Sequence, residues 1–557
     1  MIRPSMLSAP RISGSLLKSL ARLARTRAGS SALQLALRAE LRISELEKLP
    51  SSMFGAIALS NRAVSGRPPR RLEDLSLPVP KPGWSGTSAD FALAYAARRA
   101  TPEQVLAVAL ENARKLERMT PSMRVLQDVA EDDATTDAEH AGDRFRVNAP
   151  KGPLDGVCIA VKEQTRVRGL PAKGGTAYMD GAPQKEDATI VRRLREAGAV
   201  IIGTTPMTEL GMTPLGFNPH RTMPRNPHDT GHVAGGSSTG SGVAVATGLV
   251  PIAIGADGGG SIRIPSSLNG VFGIKPTWGR VSRAGDLFGG SVAHLGPLAS
   301  STADLARVLE IIAAPDSRDP ETAYAPQLQT GALVKALGRG VRGLTIGVEE
   351  AEWADASPEI ARAGREALAA LEKEGARLKK VSAPIMKHAP AIGYLCISIE
   401  TRAELKQDWA EHADEMSPDL QITMAVVSEL GAVEFAEALR LRNGLRSEAA
   451  RLLGEVDVLA LPTTVSVAPA ATDSQFAGGF LDPQALAGLC RFNFFGNLTG
   501  LPAASVPIGM HDGLPIGLQI LGDAWDEATV LATCAHLERL GVASTRRPKI
   551  SVDQILP

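Results

Sequence analysis

Three glycines run directly into a serine at Gly258-Gly-Gly-Ser261, the stretch of this chain whose residue types most directly suggest chemistry. With no side chains before the serine, consecutive backbone N–H groups can converge on one point. Converging donors stabilise the oxyanion of a tetrahedral intermediate in acyl transfer, each typically contributing about 3–4 kcal/mol. Read this way, Ser261 attacks a carbonyl held by the amides of Gly258, Gly259, Gly260 and its own residue. Taken alone, the run serves equally well as a tight turn or a phosphate loop. A phosphate loop would show GxxxxGK[ST], or GxGxxG opening a helix, and neither pattern occurs.

A serine nucleophile needs a base. No GxSxG elbow points to a histidine partner, and His220, His228 and His232 share an Asn/Pro-rich segment that reads as loop rather than as a metal site. Lysine is the other choice. Lys162 follows directly on the apolar run Gly156-Val-Cys-Ile-Ala-Val161, at the strand end where a wound sheet opens its crevice. Desolvation there lowers a lysine pKa, whereas a surface lysine stays protonated. In isolation, a lysine at a strand end also fits an ordinary solvated charge.

The elements that must position these residues alternate along the chain. Helical spacing covers about 102–118, 189–197 and 358–375, and buried-strand runs cover 156–161, 199–203, 252–255 and 456–461. The C-terminal part reads as a hairpin, 503–507 and 516–521 about a turn at His511-Asp-Gly513, closed by a helix at about 526–540. Such alternation implies an α/β fold, a mixed β-sheet sandwiched between α-helices. Phe492, Phe494 and Phe495 cluster in a chain with only 12 phenylalanines. They are expected either in the core or, for at least one of them, on an apolar acyl pocket.

Sixty basic and sixty acidic residues cancel, so no overall field would hold the protein to nucleic acid. The four cysteines are widely spaced, which suits reduced thiols rather than a disulfide framework or zinc site. Neither a metal nor a cofactor is expected. No apolar run reaches the roughly 18 residues of a membrane span, and the expected location is cytoplasmic.

Residues 1–87 read as a helical extension and linker, apart from a catalytic domain over 88–557. Residues 1–39 contain no Asp or Glu but carry Arg3, Arg11, Lys18, Arg22, Arg25, Arg27 and Arg38. Leu16, Leu17, Leu20 and Leu23 fall at helical spacing opposite Lys18, Arg22 and Arg25. This predicts an amphipathic helix docked on the body or on the second subunit of a homodimer. The alternative is peripheral membrane contact through residues 1–60, or an organellar presequence. In each case the extension is expected to be dispensable for chemistry. A linker rich in Pro, Gly and charge is expected over 66–88.

Together, Gly235-Gly-Ser-Ser-Thr-Gly-Ser241, the run Asp257 to Pro265, Gly273-Ile-Lys-Pro276, and the tail 497–507 with 513–519 resemble the amidase signature family. The resemblance covers about 88–545. It implies an amidase, hydrolysing carboxylic amides through an acyl-enzyme, with Ser261 as nucleophile and Lys162 as terminal base. Ser237, twenty-four residues before Ser261, would be the bridging serine after a cis peptide bond. Ser238 would support the network, and Asp257 and Arg263 would form an ion pair beneath the loop. The chain departs from the family pattern at Lys162-Glu163-Gln164, where Lys-Asp-Asn is frequent, at Thr239 for glycine and at Ala234 for proline. Thr239 would be strained if its position needed φ > 0. Small-molecule amides are the expected substrates. The runner-up is an amidotransferase A-type subunit releasing ammonia from glutamine for a partner, and a third reading is a non-catalytic binding protein on this fold.

Overall fold

In the computed structural model, residues 11–57, 62–63, 65–66, 74–80 and 83–553 are described. Arg3 and the 67–73 and 81–82 portions of the expected linker lie outside the described residues. Eleven strands form the main sheet: β1 (Asp128–Val129), β2 (Cys158–Lys162), β3 (Val200–Thr205), β4 (Ile252–Asp257), β5 (Phe272–Lys275), β6 (His294–Ala299), β7 (Thr345–Glu349), β8 (Arg377–Val381), β9 (Val458–Pro462), β10 (Ala503–His511) and β11 (Leu514–Gly522). Their order is β1-β3-β2-β4-β6-β5-β10-β11-β9-β7-β8. β2 is parallel to β3 and β4, β7 is parallel to β8 and β9, and the pairs between β4 and β9 are antiparallel, so the sheet is mixed.

The inner strands are buried on both faces because helices cover both, whereas the edge strand β8, Arg377–Val381, carries exposed charge. Along β9, Val458 and Ala460 enter one core cluster and Leu459 and Leu461 the other, the two-residue alternation of a strand between two layers. The helix Pro102–Glu117 begins where the sequence provides a capping box, Thr101 with Gln104, and a proline at its first turn. β2 starts two residues later than the apolar run suggests, because Gly156 turns with φ 75° and the Val157 amide bonds back to Leu154. The shift carries Lys162 into the strand as its last residue. The hairpin strands are longer than expected, meeting at Asp512-Gly513, both with positive φ. Thr239 opens a helix, Thr239–Ala246, and is not among the residues with positive φ, so the strain considered for it does not arise.

The N-terminal extension folds onto the body as α1 (Gly14–Ala24), α2 (Arg27–Glu40) and α3 (Ile43–Leu46). Ile12–Ser13 pairs with Phe480–Leu481 in a separate two-stranded ribbon. The buried face of α1 is Leu17, Ala21 and Ala24, packed on Ile422, Ala425 and Val426 of the helix Pro418–Val427. The stripe expected from leucine spacing is thus rotated: Leu16 is 57% exposed and Leu23 49%. Small alanines let the two helices approach closely, and that contact, rather than leucine count, selects the face. Among the described residues no helix is long and apolar enough to cross a membrane. All four cysteines are buried and unpaired.

Candidate active site

β2 and β4 are parallel neighbours, so their C-terminal residues, Lys162 and Asp257, emerge at the same edge of the sheet. Ser237 precedes the helix Thr239–Ala246 and follows a cis Gly236–Ser237 peptide bond. Lys162 Nζ donates to Ser237 Oγ at 2.7 Å, and both side chains are almost fully buried. Burial pushes the Lys162 ammonium down to about 7, against the opposing pull of the Asp286, Asp257 and Glu163 carboxylates. A lysine in that range is neutral in part at physiological pH and can accept a proton from a hydroxyl.

Ser261, half-buried on the loop after β4, faces a cleft with about 1060 Å³ of empty space, part of it open to solvent. Gly211 lines the same cleft, and a Cβ built on it would stand 3.2 Å from Ser237 Oγ. With φ 71° that position also favours glycine. The Ser238 amide donates to the Ser261 carbonyl at 3.3 Å, and the Ser238 hydroxyl bridges the carbonyl and amide of Ala256 on β4, each at 3.2 Å. One residue thus ties the Ser237 segment to the Ser261 loop.

Beneath that loop lies a closed ionic cluster. Asp257 accepts from Arg263 Nε and Nη2, both at 2.9 Å, and both side chains are fully buried. Arg263 also donates to the Asn493 carbonyl at 3.0 Å, Gln519 Oε1 at 2.5 Å and Asn497 Oδ1 at 2.6 Å, while Asn497 Nδ2 returns to Asp257 at 2.9 Å. Burial alone would raise the Asp257 carboxyl, but Arg263 and Asn497 hold it well below the usual carboxylate range. Asp257 also accepts from the Gly260 amide at 2.7 Å. This changes the expected oxyanion hole, since Gly260 gives its amide to the cluster. Among the expected donors, Asp257 leaves Gly258, Gly259 and Ser261 unclaimed.

Of the three phenylalanines, only Phe494 lines the cleft, where a Cβ on Gly259 would stand 2.6 Å from its ring and Tyr394 meets it edge-on at 5.0 Å. Phe495 belongs to the second core and Phe492 is buried under Arg491, so neither lines the pocket. The histidines His220, His228 and His232 do not gather. They sit against Glu209, the Asn269 carbonyl and Asp229 respectively. Among the described residues no three metal-ligating side chains converge.

Several site residues carry no sequence signal. Asp286 accepts from Gln164 Nε2 and Thr165 Oγ1, each at 2.8 Å, and desolvation pushes its carboxyl up to about 6. Arg221 donates to Glu163 at 2.5 Å and fixes the residue after Lys162. Both partners come from distant loops, and only the departure Glu163-Gln164 hinted that the surroundings of Lys162 were distinctive.

The profile of the Amidase family matches residues 107–531. The chain is 34% identical over 510 residues to a fatty acid amide hydrolase of Medicago truncatula, covering 87% of this chain and 83% of that one. It is also 34% identical over 458 residues to the A-type subunit of the glutamyl-tRNA(Gln) amidotransferase of Chloroflexus aggregans, covering 77% and 92%. A solved bacterial aryl acylamidase of the amidase signature family superposes with a TM-score of 0.72 at 26% identity, over 82% of this chain and 96% of that one. Fold and likeness together define a hydrolase acting on carbon–nitrogen bonds. The chain belongs to the amidase signature family.

Proposed function

We propose that the protein is a self-sufficient amidase that converts a carboxylic amide with an apolar acyl group to the acid and ammonia or amine. The observation that carries this reading is the buried 2.7 Å contact between Lys162 and Ser237 at the edge where Ser261 faces an apolar cleft. In the reaction, Ser261 Oγ forms a bond to the carbonyl carbon while its proton passes through Ser237 to neutral Lys162. The oxyanion is held by amides of Gly258, Gly259 and Ser261. As the C–N bond breaks, Lys162 returns the proton through Ser237 to the departing nitrogen, since an amine leaves poorly unless protonated. Water then attacks the acyl-enzyme, giving up its proton along the same relay, and releases the acid.

The amidotransferase reading, release of ammonia from glutamine for a partner, fits less well. Glutamine carries a charged α-amino acid group, and the cleft beside Ser261 is lined largely by Met212, Tyr394, Ile397, Phe494 and other apolar side chains. The test is mass spectrometry of protein treated with an alkyl fluorophosphonate, together with ammonia release from glutamine and from octanamide. The adduct is expected on Ser261, absent in Ser261→Ala, and octanamide is expected to be the better substrate. An adduct on another residue, or glutamine as the better substrate, overturns the proposal.

A further inference from the structure

The cleft that reaches Ser261 is not walled by the family-matched body alone. One face of α2 lines it, through Gln34, Leu37 and Arg38, continued by Leu41 just past the helix end and by Ile43 of α3. These are positions i, i+3, i+4 and i+7, one stripe of a helix. Off that stripe, Leu35 is 70% exposed. The stripe lies outside the family match, which begins at residue 107.

α2 is built into the body rather than laid over it. Ser30 and Ser31 donate to the two carboxylate oxygens of Glu429 at 2.7 and 3.0 Å. Arg38 is ion-paired with Glu47 and, at 3.6 Å, with Glu434, so its charge is compensated where it borders the apolar lining. Leu37 packs in the same cluster as Val426 and Leu481, and both of these also line the cleft. The ribbon between Ile12–Ser13 and Phe480–Leu481 anchors the start of the extension to that same wall.

We propose that the N-terminal extension is part of the substrate site, with Leu37 and Leu41 as specificity-determining residues that seat the distal end of a long apolar acyl chain. The inference rests on the amidase reading for its substrate class, and it replaces the expectation that residues 1–60 are dispensable for chemistry. A short amide reaches Ser261 without touching α2. A long one removes apolar surface from water against Leu37 and Leu41, so the extension discriminates by chain length.

The experiment compares wild type with Leu37→Trp and Leu41→Trp, and with Leu35→Trp, which adds the same bulk on the outward side of the helix. The first readout is the ratio of kcat/KM for dodecanamide to that for butanamide. The second is the calorimetric Kd of dodecanamide measured on a Ser261→Ala background. Both inward variants are expected to lower the ratio by about tenfold or more and to weaken Kd by a similar factor, equivalent to about 1.4 kcal/mol. Leu35→Trp should move neither. If tryptophan prevents folding, Leu37→Ala with Leu41→Ala is used, which lowers the same ratio by removing contact area. Folded inward variants with an unchanged ratio and unchanged Kd overturn the inference. Because binding is read without turnover, a wild type that hydrolyses no amide but still loses dodecanamide binding in the inward variants would sink the amidase reading and leave the α2 wall standing.

Discussion

Lys162 must be neutral to act in the proposed relay, yet it is surrounded by carboxylates that favour its charge. Burial wins, bringing it to about 7. In the proposed relay the neutral form is the active one, so kcat/KM should rise with pH through about 7 and level off above, and Lys162→Ala should abolish that limb along with most amide turnover. Asp286 tests the balance. Its negative charge opposes loss of the Lys162 proton, so Asp286→Asn should lower the lysine pKa further and move the ascending limb to more acidic pH. A limb that stays in place or moves to alkaline pH would show that Asp286 does not act on Lys162. At this scale Ser261 and Lys162 stood out in the sequence, through the glycines before one and the apolar run before the other, while Ser237 was picked out only by the resemblance to the amidase signature family. Asp286 and Arg221 were not, because a side chain that arrives from a separate loop leaves no periodicity behind.

At the scale of elements, the loop between β4 and the helix Arg263–Asn269 depends on charge held without water. Replacing Asp257 by alanine leaves Arg263 buried with its main counter-charge gone, and breaking a buried pair in this way costs about 3–5 kcal/mol. Denaturant unfolding of Asp257→Ala should show a loss of that size, and a loss below about 1 kcal/mol would mean that Asn497, Gln519 and the Asn493 carbonyl suffice alone. Strand and helix identities in this region were legible from apolar runs and glycine stops, with the start of β2 two residues later through the turn at Gly156. The face of α1 was not, since alanine-mediated approach to the helix Pro418–Val427 outweighed the leucine stripe. The donor role expected of Gly260 fails for a related reason: three consecutive glycines look equivalent in sequence, and only the position of the Asp257 carboxylate distinguishes them.

At the scale of the whole molecule, the site draws on segments far apart in the chain. β2 and β4 bring Lys162 and Ser261 together from the first half, while Asn493, Asn497 and Gln519 reach Arg263 from 230 to 256 residues further on. A protein ending at residue 490 therefore keeps every residue of the proposed relay, and Asp257, but lacks Asn493, Asn497 and Gln519 around Arg263. It should fail to form a fluorophosphonate adduct at Ser261. Normal labelling of that fragment would show that the loop holds its shape without the C-terminal hairpin.

That arrangement has a consequence for how the protein comes into being. Ser261 leaves the ribosome well before Asn493, Asn497 and Gln519, which brace its loop, so the growing chain holds the proposed nucleophile ahead of the frame that aims it. The sheet becomes continuous from β5 to β9 only once β10 and β11 are in place, so the proposed chemistry waits on strands made late in the chain.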